Sequence, residues 1–276
     1  MKKKQLFKDL PPGCSIKIDK NTFIGENVVI SKNCKFLSIG FGSFIGRDIY
    51  IDAESLSIGD YTTIHHGSIL QGKEVSIGHN CWFGHYTIID GTGGCFIGNN
   101  VGVGTHSQLW SHMKFGDKLE GCRFNTQNKL ILEDDVWLVG RSTVGPIIAK
   151  EKSMLLANSY ALKNLEPNAL YSGNPAIKVE NSKGQFKNKD IKKKSTELKN
   201  IIDQFLNIHN FIDFKYKIIS EGNFSKEDFL SEITQFNIKE RTYCPTRSKE
   251  EFLLIKYMLY DKAKFLPRND FLEDKI

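Results

Sequence analysis

The chain has 276 residues, of which 40% are hydrophobic and 25% charged, so its composition is globular and excludes wholesale disorder. The net charge of +6 fits an anionic small molecule as well as nucleic acid and selects neither. No apolar run approaches the roughly 18 residues of a membrane-spanning helix.

The start of the chain carries no predicted export signal. Met1–Lys4 is basic, but Pro11, Pro12 and Gly13 follow where a secretory signal would continue with an apolar segment. The six cysteines are irregularly spaced and form no CxxC pair, which favours free thiols. Together these features predict a cytoplasmic protein.

A repeat with a period of six residues begins at residue 22. Aliphatic or aromatic anchors recur every six positions, and Gly follows several of them. Neither an α-helix nor an alternating strand has this period. The anchors form triples that begin 19 or 20 residues apart: Ile39, Ile45, Ile51; Ile58, Ile64, Leu70; Ile77, Phe83, Ile89; Ile97, Val103, Leu109.

This repeat predicts a triangular solenoid, that is, an all-β parallel β-helix. Each six-residue unit supplies one short strand and one corner, with the anchor pointing into the prism. Three units return the chain to the same side, roughly 4.8 Å further along the axis. Glycine after the anchor permits the positive φ that a tight corner can require.

The repeat stops after Leu109 and resumes further on. Residues 113–129 hold Gly116, Gly121 and many charges but no anchors, so we predict an excursion loop outside the prism. The anchors return at Leu132, Leu138 and Val144, and a degenerate coil follows around Ile148, Met154 and Leu155.

The chain changes character near residue 180. Only Gly184 and Gly222 of the 23 glycines lie beyond this point. Residues 181–276 contain 19 basic and 15 acidic residues, a balance that argues against a nucleic-acid-binding arm. We therefore divide the chain into a lead-in (1–21), a β-helix domain (22–180) and an α-rich C-terminal domain (181–276). Helices are predicted after Ser195, Ser225 and Ser248, with a possible strand within 211–219.

Three segments resemble the hexapeptide-repeat acyltransferases that use acetyl-coenzyme A and fold as left-handed parallel β-helices. Leu130–Leu138 (LILEDDVWL) resembles the family's return to the coil after its loop. Ser172–Val179 (SGNPAIKV) resembles its terminal Gly-Asn-Pro-Ala signature, with Ile177 as an extra residue. Ile97–His112 resembles its active-site coil.

In that family the catalytic histidine comes three residues after the third anchor, which implies His112 here. Imidazole is suited to removing a hydroxyl proton near neutral pH. His106 is the alternative base. His66 and His85 should stack in successive coils and could line an acceptor site, whereas His65 and His79 are interpreted as surface residues. No metal is expected, because the histidine spacing does not match the zinc-binding β-helix enzymes.

The resemblance also implies residues that hold the two substrates. The backbone amide of Gly140 would contact the thioester, Asn158 would lie in the next coil, and Lys163 and Lys178 would bind the coenzyme phosphates. Trp110 and Trp137 could form an apolar wall beside the acyl group, with packing at the solenoid edge as the alternative. Asp90 could orient the imidazole or a sugar hydroxyl, or it could be a plain corner residue.

The implied function is acetyl transfer from acetyl-CoA to a hydroxyl of a surface glycan, such as lipooligosaccharide, capsule or sialic acid. The implied assembly is a homotrimer with active sites between neighbouring prisms. Two alternatives stay open: N-acetylation of a nucleotide-linked amino sugar, and a non-enzymatic solenoid scaffold. Neither nucleic acid nor a membrane is expected as a partner.

Overall fold

The computed structural model describes residues 11–211, 213–268 and 271. The chain divides into two compact units, one ending at Phe186 and the other beginning at Lys187. Residues 1–10 of the predicted lead-in, and a few positions near the end of the tail, lie outside the described residues. Within the described part of the chain, no helix is both long and apolar enough to cross a membrane.

The first unit is a parallel β-solenoid whose strands form three columns, here called faces 1, 2 and 3. Successive coils pair in parallel register, and the inward positions match the predicted anchors: Ile45 pairs with Ile64, Ile64 with Phe83, and Phe83 with Val103. The prediction of a parallel β-helix is therefore confirmed. Face 1 contains Phe23–Ile24, Phe44–Ile45, Thr63–Ile64, Trp82–Phe83, Gly102–Val103, Trp137–Leu138, Met154–Leu155 and Leu170–Gly173.

Faces 2 and 3 share two long strands that run around their common corner, Tyr50–Ile58 and Ile69–Ile77. The other strands of face 2 are Val29–Ile30, Ile88–Gly91, Gln108–Leu109, Thr143–Val144 and Tyr160–Ala161. Those of face 3 are Ser15–Ile18, Phe36–Ile39, Cys95–Ile97, Leu130–Leu132 and Ile148–Ala149. Ala176–Lys178 folds back antiparallel on Leu170–Gly173.

The solenoid starts earlier than predicted. Ser15–Ile18 already pairs in parallel with Phe36–Ile39 on face 3, so the parallel pairing includes residues before position 22. This strand lacks the Ile-Gly signature, because Asp19 and not glycine follows Ile18. Its inward side chains, Ile16 and Ile18, nevertheless pack against the core.

The glycines that follow the anchors serve close packing and not positive φ. A Cβ on Gly59 would lie 2.6 Å from a backbone atom of Gly78, and one on Gly78 would lie 2.6 Å from Gly98. Positive φ occurs two residues later and is carried by other residue types, such as Tyr61 (φ 56°) and Asn80 (φ 59°). The sequence expectation about corner glycines is corrected accordingly.

The core of the prism combines apolar anchors with hydrogen-bonded corner hydroxyls. Ile64, Phe83 and Val103 are fully buried. Thr62 is also buried, and its hydroxyl donates to Gly78 O (2.8 Å) while accepting from Cys81 N (3.1 Å). The Thr62 hydroxyl thus ties one coil to the next, and both of its hydrogen bonds compensate for its burial.

The degenerate coil matches the expectation at Leu155 and differs elsewhere by one residue. Its inward positions are Ala149, Leu155 and Ala161, all buried, whereas Ile148 and Met154 point to the less buried side. The small alanines hide the repeat from a search for large aliphatic anchors. The excursion contains a short antiparallel hairpin, His112–Lys114 with Asn125–Gln127.

The described residues of the second unit form three helices, α1 (Ile191–His209), α2 (Lys226–Leu230) and α3 (Lys249–Leu259). Ser225 and Ser248 cap α2 and α3 as expected, but α1 begins at an Asp190 cap and not after Ser195. A four-stranded sheet accompanies the helices: Tyr216–Ile219, Thr234–Asn237, Thr242–Cys244 and Leu266–Pro267. Only its first strand overlaps the possible strand predicted from the sequence.

Candidate active site

His112 lies where face 2 ends and the excursion begins. The strand Gln108–Leu109 delivers the chain to the corner between faces 2 and 3. The next strand, His112–Lys114, leaves the prism and pairs antiparallel with Asn125–Gln127, with His112 opposite Gln127. The backbone of His112 is therefore held by the solenoid on one side and by the hairpin on the other.

Asp90 reaches His112 from the preceding coil. Its carboxylate Oδ1 lies 2.8 Å from Nδ1 of His112. The side chain of Asp90 is only 1% exposed, whereas that of His112 is 24% exposed. Because an ionised carboxylate can only accept hydrogen bonds, we assign the imidazole proton to Nδ1. Nε2 then carries the lone pair and is the nitrogen available to act as a base.

Three further side chains hold the buried carboxylate. Ser111 Oγ donates to Oδ1 (2.8 Å), while Thr92 Oγ1 (2.9 Å) and Gln71 Nε2 (3.2 Å) donate to Oδ2. Burial alone would raise the pKa of Asp90, but the hydrogen bonds from His112, Ser111, Gln71 and Thr92 outweigh it and lower that pKa. Asp90 is therefore ionised at neutral pH and supplies a fixed negative charge beside the imidazole.

Ser111 connects this carboxylate to the start of face 3. Its hydroxyl accepts from the backbone N–H of Gly93 (2.8 Å) while donating to Asp90. A Cβ on Gly93 would lie 2.5 Å from Ser111 O and from Asn128 O, so only glycine fits between them. The Gly-Thr-Gly-Gly run of residues 91–94 thus brings the chain close to the base of the excursion.

Sequence reasoning missed Gln71, Thr92 and Ser111. The signal for Gln71 was the 19-residue step of the coil, since Gln71 and Asp90 are register partners on adjacent strands. The positions of Ser111 and Thr92 beside Asp90 depend on the backbone conformation of the corner between faces 2 and 3, which the repeat period does not specify.

Trp110 completes this corner. Its ring lies edge-on to the His112 imidazole, with 6.0 Å between the centroids, and its Nε1 donates to Gln108 Oε1 (3.0 Å). Among the residues predicted from the sequence, the structure therefore brings Asp90, Trp110 and His112 together. An apolar ring beside a partly exposed imidazole can restrict water near Nε2.

Three other predicted residues lie at a different corner, between faces 1 and 2. His85, Gly140 and Asn158 all follow face 1 strands, and Asn158 N donates to Gly140 O (3.3 Å). Within one chain, a whole face separates these residues from His112. The expectation that His85 lines the same site as Asp90 and Trp110 is thus not met inside a single chain.

The remaining predicted coenzyme contacts are dispersed. Trp137 projects outward from face 1 with 46% of its surface exposed, packed beside Gly102. Lys163 is exposed beyond the last face 2 strand. Lys178 forms an ion pair with Glu166, and the hydrogen bond from that pair raises the pKa of Lys178. Lys178 would have to leave Glu166 to meet a phosphate.

The other histidines do not share the environment of His112. His106 has a positive φ of 58° and stacks on Tyr86, with ring centroids 5.2 Å apart. His66 and His85 lie on successive coils as predicted, but their rings are tilted by 40°, with centroids 5.2 Å apart. His79 accepts a hydrogen bond from Asp60 N at 2.8 Å. His65 is partly buried, which corrects its interpretation as a surface residue.

The buried cysteines are not candidate nucleophiles. Cys34 and Cys81 belong to the core of the solenoid. Burial, followed by the hydrogen bond from Cys14, raises the pKa of Cys34 to about 12. Cys95 is fully buried, and burial together with the charge of Asp90 raises its pKa further. The Cys34 and Cys95 thiols therefore stay protonated at neutral pH.

No protein-family model matches the chain, and no curated protein matches it. Solved structures with similar folds include an acetyltransferase with hexapeptide repeats from Vibrio cholerae O1 biovar eltor, complexed with acetyl coenzyme A. It is 18% identical with a TM-score of 0.36, over 51% of this chain and 69% of that one.

Two further similar structures are acyltransferases by name. AntD, an N-acyltransferase from Bacillus cereus in complex with dTDP and 3-hydroxybutyryl-CoA, is 21% identical, with a TM-score of 0.38, over 67% of this chain and 91% of that one. The polysialic acid O-acetyltransferase OatWY is 16% identical, with a TM-score of 0.41, over 63% and 88%. These values are too low to assign an activity to this chain.

Proposed function

We propose that this chain is a hexapeptide-repeat acyltransferase that moves an acetyl group from acetyl-CoA to a hydroxyl of a surface-glycan sugar. The observation that carries the proposal is the His112–Asp90 pair, in which a buried carboxylate 2.8 Å from Nδ1 leaves Nε2 of a partly exposed imidazole as a base. The segments 97–112, 130–138 and 172–179, which resemble this family, support the same assignment.

The proposed reaction is direct transfer in a ternary complex. Nε2 of His112 removes the proton from the acceptor hydroxyl as its oxygen attacks the thioester carbonyl. The new C–O bond forms, the C–S bond breaks, and the imidazolium returns its proton to the departing sulfur. Asp90 stabilises the imidazolium while it exists, and the mechanism needs no metal ion. General base catalysis of this kind contributes about 10²–10⁴-fold.

Acetyl-CoA is the proposed co-substrate, held by Trp137, Gly140, Asn158, Lys163 and Lys178. The N–H of Gly140 would stabilise the oxyanion, a role that contributes about 10²–10³-fold for a single donor. Since Gly140 and His112 occupy different corners of one prism, this role requires a neighbouring copy. We therefore propose a homotrimer of left-handed prisms, with His112 of one copy facing the Gly140 corner of the next.

The proposed acceptors are lipooligosaccharide or capsule sugars, with sialic acid as one candidate. N-acetylation of a nucleotide-linked amino sugar is the alternative, because the same base and donor serve an amine as well as a hydroxyl. The residues of the His112 corner suit a hydroxyl acceptor and an amine acceptor equally, so an experiment must tell them apart.

An acceptor screen tests the function. The full-length protein is incubated with acetyl-CoA and single acceptors, namely sialic acid oligomers, neutral hexoses and nucleotide-linked amino sugars, and thiol release is followed. We expect release with a hydroxyl acceptor, and an ester in the product by mass and NMR. An amide product would support the alternative. No release with any acceptor, together with no saturable binding of acetyl-CoA, would contradict acyl transfer and favour a scaffold.

A further inference from the structure

Three histidines meet at the corner between faces 1 and 2, away from the His112 corner. His65 and His66 follow the face 1 strand Thr63–Ile64, and His85 follows the next strand, Trp82–Phe83. His65 N donates to Phe83 O (3.0 Å) and Tyr86 N donates to His66 O (3.0 Å), so the solenoid fixes the two coils against each other. The proposed acyl transfer gives this cluster no catalytic role.

The three rings are close enough to share one ligand. Their centroids lie 4.7 Å apart for His65 and His85, 5.2 Å for His66 and His85, and 6.0 Å for His65 and His66. One ring nitrogen from each histidine lies within 4.8 Å of the other two. Imidazole nitrogens about 2.0–2.1 Å from a tetrahedral ion are roughly 3.3 Å apart, a separation that small side-chain rotations would produce.

His65 has the properties of a metal ligand. Its Nδ1 is buried, and no hydrogen-bond partner for this atom is present among the described residues. An unsatisfied buried nitrogen costs stability unless a ligand fills its coordination position.

His66 has a different role because one of its nitrogens is occupied. Its Nδ1 accepts from the backbone N–H of Arg47 at 2.8 Å, so the proton of the neutral ring lies on Nε2. Such a ring cannot donate a lone pair from Nε2 without giving up the Arg47 hydrogen bond. It can instead donate that N–H to a water or anion bound to a metal ion.

We propose that His65 and His85 bind a divalent transition-metal ion at this corner, with His66 hydrogen-bonded to a water on that ion. Neutral imidazole pairs suit zinc, nickel, cobalt and copper and not magnesium or calcium. The sequence argued against a metal because its histidine spacing does not match the zinc-binding β-helix enzymes, and His65 was interpreted as a surface residue. The fold joins His65 to His66 and His85.

Metal titration of the untagged, full-length protein tests this site without any acyl acceptor. Zn²⁺ binding is measured by calorimetry, and Co²⁺ binding by its visible absorption. We expect one saturable site per chain. His65→Ala and His85→Ala should each weaken binding at least tenfold, and His66→Ala should weaken it less. The matched control is His209→Gln, in the last turn of α1, which should bind as the wild type does.

A second measurement uses only the wild-type chain, in case a variant fails to fold. Co²⁺ should broaden the NMR signals of the His65 and His85 ring protons and leave those of His209 unchanged. The proposal is overturned if the wild type shows no saturable site, or if His85→Ala folds and binds as tightly as the wild type. Broadening of all histidine signals to the same extent would also overturn it.

Discussion

Asp90 makes the imidazole of His112 a candidate base, because its carboxylate accepts the hydrogen bond from Nδ1. Its register on face 2 places it beside Gln71, and Ser111 and Thr92 at the corner between faces 2 and 3 donate further hydrogen bonds to it. A buried carboxylate without these donors would be costly to ionise. With them its pKa falls, and the charge stays beside Nδ1 of His112.

The variant Asp90→Asn tests this positioning role. An amide cannot accept all four side-chain hydrogen bonds, because its NH₂ group meets another donor, so we expect destabilisation of about 1–3 kcal/mol. Loss of about 1.4 kcal/mol of imidazolium stabilisation corresponds to tenfold in rate, so kcat should fall at least about tenfold. KM for acetyl-CoA should change little. The measurements are chemical denaturation and initial rates.

The same variant checks the direction of the pKa shift. The pKa of Asp90 is lower in the folded chain than the ordinary value of 3.8, so its stabilising contribution is complete at neutral pH. That contribution is lost as the pH falls below this ordinary value and through the lower pKa of the folded chain. Wild-type stability should therefore decline more steeply over this range than that of Asp90→Asn. Parallel declines would show that Asp90 gains nothing from its ionised state.

At the residue scale, the six-residue period predicts the corner that His112 occupies, three residues after the anchor Leu109. Its choice as the base came from the family resemblance, and that role stays a prediction. Whether Lys178 is available to a phosphate depends on its ion pair with Glu166, a local contact that no sequence pattern indicates. The roles of Gly140, Asn158 and Lys163 stay predictions.

At the element scale, the size of the inward residue in each six-residue unit explains which strands the sequence predicted and which it missed. Anchors such as Ile64 and Phe83 are large and regularly spaced, so their strands could be placed from the sequence. The last coils use Ala149 and Ala161 as inward residues, and alanine carries little periodic signal. The sheet of the second unit joins strands distant in sequence, such as Tyr216–Ile219 and Thr234–Asn237, which local patterns do not pair.

Gly59→Ala tests the close-packing role of the glycine after the anchor. The new Cβ would meet the backbone of Gly78 and His79 at 2.6–2.7 Å, and backbone cannot move aside cheaply. Overpacking of this kind costs about 1–3 kcal/mol, which we expect to measure by denaturant unfolding. The control is Gly145→Ala, whose Cβ would have ordinary contacts of 3.5 Å or more. Equal stability of the two variants would contradict this explanation.

At the scale of the whole molecule, the two candidate halves of the acyl-transfer site lie on different corners of one prism. His112, Asp90 and Trp110 share the corner between faces 2 and 3, whereas Gly140 and Asn158 lie between faces 1 and 2. A rigid solenoid cannot bend one corner onto the other. The proposed trimer joins the corners of adjacent copies, which is why assembly and activity are coupled in this account.

The most direct test of the account is the turnover of His112→Ala beside that of His106→Asn. The two histidines lie on adjacent corners of the same coil, and asparagine tolerates the positive φ of position 106. Both variants should fold and bind acetyl-CoA as the wild type does. We predict that His112→Ala loses at least about a hundredfold in kcat, as expected for a general base, while His106→Asn stays near the wild-type rate. Near-normal acetyl transfer by His112→Ala would contradict the account.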